Sequence, residues 1–268
     1  MASARLSAYA HLLRAQMKSQ AQYRASFAVV VAGSVAFGFL DVVTVLALFR
    51  VRPTLAGFAF AEVFLMTALA SLAFALADLG AGNVERLRFY VRTGLFDAVL
   101  VRPLGALTQL LVMDVAARRL GRVVVGMALL GTAAVQADLA LTPARLALLA
   151  VAPVAGALIF GAVFVTTATL TFWWVESGEL GNALTYGGHD FSAYPMSVYG
   201  PLFRRIFAYG LGFAFVAYYP ALALLGRPDP LGAPAALGYA CPLIAAAAAV
   251  IAGLLWRTGV RHYRSTGS

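Results

Sequence analysis

The sequence has 268 residues, 62% of them hydrophobic and only 12% charged, and its mean hydropathy is +0.85. Soluble domains are nearer to half apolar and about a quarter charged, so these values exclude an ordinary soluble globule and point to the membrane class. The net charge of +9, from 20 Lys and Arg against 11 Asp and Glu, falls between apolar runs rather than on one polar domain; this argues for a topology signal and against a nucleic-acid partner. The single cysteine, Cys241, excludes an intrachain disulfide and a paired-cysteine metal or redox site.

Residues 3–24 form a polar, basic arm. Leu6, Tyr9, Leu13 and Met17 recur at helical spacing, with His11, Arg14 and Lys18 on the other side. That pattern predicts an interfacial helix whose stripe enters lipid while its cations meet anionic headgroups. The first apolar run, 26–49, exceeds a signal-peptide core, so it reads as a span and no cleavable leader is expected. Further spans are expected over 57–79, 107–135, 144–175, 206–225 and 237–256. The third belongs to a long element, 104–137, whose first half carries Asp114, Arg118, Arg119 and Arg122. Thr142-Pro143 reads as a helix start, and the fourth run is long enough to tilt or project beyond the bilayer. The expected architecture is one all-α domain of six membrane spans.

Two polar islands interrupt the apolar runs, Gly80–Pro103 and Glu176–Arg205. With the amino terminus inside, the inner segments hold Arg5, Arg14, Lys18, Arg24, Arg86, Arg88, Arg92, Arg102, Arg118, Arg119, Arg122, Arg204, Arg205, Arg257, Arg261 and Arg264. Only Arg50, Arg52, Arg145 and Arg227 fall outside; sixteen against four puts both islands and both termini in the cytoplasm. In the first island Val84, Leu87 and Val91 share a helical face, while Glu85, Arg86, Arg88 and Arg92 cover the rest and Gly94 is placed to end the helix. Such a helix suits docking of a soluble partner; the same pattern also fits a solvated loop.

Signatures of chemistry are sparse. The lone lysine, Lys18, has no glycines at phosphate-loop spacing before it, so nucleotide binding of that kind would need another chain. His11, His189 and His262 lie in separate segments without a metal-binding pattern, and His189-Asp190 lacks a nucleophile at a recognisable spacing. Asp41 and Glu62 fall within expected spans. Charge there is costly, so Asp41 implies either a substrate path or proton relay, or a polar partner on a neighbouring helix. Thr167 and Phe172 in the fourth run, and Tyr209 and Phe213 in the fifth, either line a route for an amphipathic substrate or serve helix packing.

The segments YVRTGLFDAVLVRPL at 90–104, FWWVESGELGNAL at 172–184, FSAYPMSVYGPLFRRIFAYGLGFAFVAYYPALALLG at 191–226 and HYRSTGS at 262–268 together resemble one family. It is the six-span permease family of type-two ATP-binding cassette exporters, in the branch where two different permeases accompany one ATPase. The resemblance implies a permease dimer, homomeric or heteromeric, bound to two copies of a cytoplasmic ATPase that holds the ATP and Mg, with no cofactor in this chain. It also implies a coupling helix within 84–93, carried by Glu85, Arg86, Arg88, Phe89 and Arg92; a connecting helix at 3–24; a re-entrant segment over Pro220–Pro234; and outward transport across a prokaryotic inner membrane. The rival reading is an ATP-independent secondary transporter or lipid flippase using Asp41 or Glu62 as a proton site; a membrane-embedded enzyme ranks behind both.

Overall fold

The computed structural model describes residues 24–112, 118–140 and 142–264. The expected interfacial arm over 3–24 lies, apart from its last residue, outside these residues. All regular structure among them is helical. In chain order the helices are α1 (Arg24–Val51), α2 (Phe60–Ala81), α3 (Leu87–Arg92), α4 (Leu95–Val101), α5 (Ala106–Val112), α6 (Arg118–Gln136), α7 (Pro143–Thr169), α8 (Gly178–Ser192), α9 (Pro201–Gly210), α10 (Tyr218–Leu225) and α11 (Cys241–His262).

Local chemistry explains the boundaries. Ala59 and Glu62 open α2, the Glu62 carboxylate accepting from the Ala59 N–H at 2.7 Å. A 3₁₀ turn over Gly82–Arg86 carries α2 into α3, so one helical rod of 33 residues runs from Phe60 to Arg92. Gly94, at φ 72°, turns the chain sharply into α4. Thr142 caps α7, its hydroxyl accepting from the Arg145 N–H at 3.3 Å, with Pro143 in the first turn where its missing N–H costs nothing.

α7 lies at the centre, packed against α2, α11, α8 and α10, while α6 packs on α1 and α2. Small residues set the crossings. A Cβ on Gly156 would sit 2.8 Å from that of Ala73 on α2, and one on Gly126 of α6 would sit 3.0 Å from the Leu72 Cα. Glycine at these contacts lets backbones approach as membrane helices do.

Three helical stretches are long and apolar enough to cross a membrane: Phe60–Arg92, Pro143–Phe172 and Cys241–His262. Two bent pairs, Leu95–Val101 with Ala106–Val112 and Pro201–Gly210 with Phe213–Leu225, raise the number to five if each counts as one span. The expected six is therefore not reproduced among the described residues; α1 and α6 are not in this set. The expected continuous helix over 206–225 is instead broken. Arg204–Gly210 widens into π-helix, Gly212 takes φ 78°, and the two halves meet at 67°. The left-handed conformation at Gly212 ends the helical hydrogen bonding. The second island, to which the sequence assigned no regular structure, is largely helical in its first half: that half forms most of α8, which packs along α7 and α2.

A polar cavity and an exposed arginine-rich helix

Four helices enclose a cavity of about 440 Å³. α1 contributes Gly38 and Asp41, α2 Ser71 and Phe74, α6 Arg122 and Gly126, and α8 Tyr186, His189 and Asp190. Glycine again allows the close approach: a Cβ on Gly38 would lie 2.5 Å from Val125 of α6. The Ser71 hydroxyl donates to Asp41 Oδ2 at 2.9 Å and lies 3.4 Å from His189 Nε2. His189 Nδ1 is 3.2 Å from Asp190 Oδ1. The His189 ring is largely covered, whereas the Asp190 carboxylate is 81% exposed. Phe74 forms the wall, its ring centroid 5.0 Å from His189 and 5.4 Å from Tyr186.

Asp190, His189 and Ser71 stand in the order of a nucleophilic triad, which supplies the nucleophile the sequence did not reveal. The arrangement lacks the rest of the machinery. Ser71 sits in the middle of α2, where neighbouring backbone N–H groups are committed to the helix rather than to a developing oxyanion, and its proton goes to Asp41. Among the described residues no group of three His, Cys, Asp or Glu could hold a metal ion.

At one end of this cavity a charge cluster bolts α6 to the end of α2. The Asp78 carboxylate takes Arg119 Nε at 3.1 Å on one oxygen and Arg122 at 3.1 Å on the other. Arg119 also donates to Asn83 Oδ1 at 2.7 Å. Asp78, Asn83 and Arg119 are all buried. A Cβ on Gly82 would lie 2.3 Å from the Asp78 carboxylate, so the junction needs a residue without one. Sequence reasoning missed this cluster. Its only trace was the spacing of Arg119 and Arg122 on one helical face, with an acid, Asp78, at the end of the preceding apolar run.

Beyond the cluster, Val84, Leu87 and Val91 face inward and are buried. Glu85, Arg86, Phe89 and Arg92 are exposed, and Arg88 is partly covered. Phe89 is 58% exposed among these charges. Arg92 pairs with Glu176 at 3.2 Å, both side chains open to solvent, and the Arg88 guanidinium lies where a Cβ on Gly178 would collide with it. The start of the second island therefore rests on the first.

Of the five expected path residues, only Asp41 lines the cavity. Thr167 is buried and donates back to Val163 and Phe164 within its own helix. Phe172 packs among Phe96, Trp256 and Tyr263. Phe213 is fully buried, 5.5 Å from Phe160, and Tyr209 faces outward with its hydroxyl 3.3 Å from that of Tyr219. Glu62 is held far from the cavity by Arg227, which donates to it at 2.7 Å and lies 4.1 Å over the Phe58 ring.

A family model described as an ABC-2 family transporter protein matches residues 35–267. No curated protein and no solved structure matches the chain.

Proposed function

The chain belongs to the ABC-2 transporter family, and from that membership we propose that it is the permease subunit of an ATP-driven exporter, moved through Glu85–Arg92 by a separate ATPase. Members of this family are multi-pass membrane proteins, generally non-catalytic, that generally pair with an ABC ATPase. The finer assembly in this proposal is two ATPase copies holding ATP and Mg, a second permease alongside, membrane lipids around them, both termini in the cytoplasm of a prokaryotic cell, and outward transport.

One observation carries the reading: a single helical rod joins the cavity to the exposed, arginine-rich segment. From Ser71 to Arg92 is roughly 30 Å of helix at 1.5 Å per residue. A push on Arg86, Arg88, Phe89 or Arg92 is thus transmitted to Ser71 and Phe74 without a hinge, except the 3₁₀ turn that the Asp78–Arg119 pair braces.

The test must separate a docking role from the internal Arg92–Glu176 contact. An exposed pair of this kind is worth at most about 1 kcal/mol, so its loss alone leaves the fold intact. Arg88→Glu with Arg92→Glu is expected to lower ATP hydrolysis by the purified complex about 5-fold or more, within the usual range of coupling energies. Adding Glu176→Arg restores the internal pair but not docking, so hydrolysis stays low. Normal hydrolysis in the first variant, or recovery in the second, removes the coupling role.

The ATP-independent rival keeps Asp41 in the cavity but loses Glu62 to the Arg227 pair. Proton-coupled flux by the chain alone, with no ATPase co-purifying, is the outcome that favours it.

A further inference from the structure

The cavity between α1, α2, α6 and α8 is asymmetric in charge. Its one arginine, Arg122, is held by Asp78 Oδ2 at 3.1 Å, in a cluster that shares its charge with Arg119. The cavity also carries two carboxylates, Asp41 and Asp190. Among the described residues Asp190 pairs with the imidazole of His189 alone, and Asp41 accepts from the Ser71 hydroxyl but forms no ion pair. Asp41 lies ten residues from the end of α1, about 15 Å along a helix, in an apolar run read as a span. A carboxylate so placed is stabilised by a partner of opposite charge; among the described residues none lies within ion-pair distance of Asp41, and Arg122, on the same cavity, is engaged by Asp78. Beside it stand the rings of Phe74 and Tyr186, whose π faces attract cations, and the remaining wall is aliphatic, from Val125 and Leu129. The volume suits a small organic molecule. A bare metal ion would need more donors than these walls provide.

We propose that this cavity binds an organic cation with an apolar body, its positive group beside Asp41 and its body against the wall of Phe74 and Tyr186. The inference rests on reading the chain as a permease and specifies the class of substrate it takes up. Ser71 orients the Asp41 carboxylate toward the cavity, and Asp190 adds negative potential at the opening.

The experiment compares tetraphenylphosphonium with its anionic isostere tetraphenylborate, binding each to the full chain in nanodiscs without ATPase or nucleotide and subtracting empty nanodiscs. The wild-type chain is expected to bind the cation about 10-fold more tightly than the anion, the worth of one charged contact. Asp41→Asn is expected to remove that preference, and Asp41→Glu to retain it. Equal binding of the two ions by the wild-type chain, or preference for the borate, overturns the proposal without any variant. So does a preference that survives Asp41→Asn. Because no ATPase is present, failure here leaves the hydrolysis experiment on Arg88 and Arg92 unaffected, and the converse also holds.

Discussion

Arg119 is only 8% exposed, yet its guanidinium is satisfied by Asp78 and Asn83. Removing one member of a buried ion pair leaves the other charge without compensation, which costs about 3–5 kcal/mol. Asp78 is the carboxylate that both Arg119 and Arg122 share, so Asp78→Ala is expected to cause that loss in denaturant unfolding of the detergent-solubilised chain; a loss below about 1 kcal/mol would refute the bracing role of the cluster. Neighbouring glycines of α8 provide a sharper contrast. A Cβ on Gly188 would lie 2.4 Å from the ring of Phe213, which is fully buried and has no room to retreat. Nothing lies within 4 Å of the same atom on Gly187. Gly188→Ala should destabilise by about 1–3 kcal/mol, whereas Gly187→Ala should be neutral or stabilise by up to about 1 kcal/mol through helix propensity. Thermal stability of the two variants in one detergent distinguishes them, and equal melting temperatures would refute the packing argument.

At the scale of elements, the first island was legible and the second was not. The inward positions Val84, Leu87 and Val91 follow from a 3.6-residue period, and Gly94 supplies the left-handed turn that ends α3. The helix of the first island extends further than the island, because α2 and α3 form one rod. α4 and α5 meet each other at a bend of 115°, and Tyr263, just past α11, packs on α4. The Tyr263 ring is 5.0 Å from Phe96, and its hydroxyl donates to Asp97 at 3.1 Å. Burial first, and Asp97 second, raise the phenol's pKa, which keeps it protonated as a donor. Tyr263→Phe keeps the ring contacts and removes one hydrogen bond, so a loss of about 1 kcal/mol is expected. The loss is local to this contact, so proteolysis between α3 and α5 about 5-fold faster than in the wild-type chain is the reading that checks it, and an unchanged rate counts against it. α8 was hidden because its composition, rich in Gly, Asn, Thr and Tyr, resembles a loop; its polar stripe of Glu179, Asn182, Tyr186 and His189 carries the helical period. The break before Phe213 was hidden for the opposite reason, since an apolar run through Gly210 and Gly212 reads as continuous.

At the scale of the molecule, apolar content, charge placement and the amphipathic face of the first island were set by the sequence alone. Hydropathy is additive along the chain, and a helix face repeats at a fixed interval, so both are local properties. The meeting of Asp41 with Ser71, and of Ser71 with His189, joins residues 30 and 118 positions apart. The Asp78 cluster spans 44 positions to Arg122. Neither follows from a period or a motif. Both depend on how closely α6 approaches α1 and α2 at Gly38 and Gly126, and on α8 turning back along α2. For the same reason Thr167, Phe172, Tyr209 and Phe213, polar or aromatic residues in apolar runs, did not join Asp41 at the cavity: their helix faces were predictable, but which neighbour each face meets is decided only by packing.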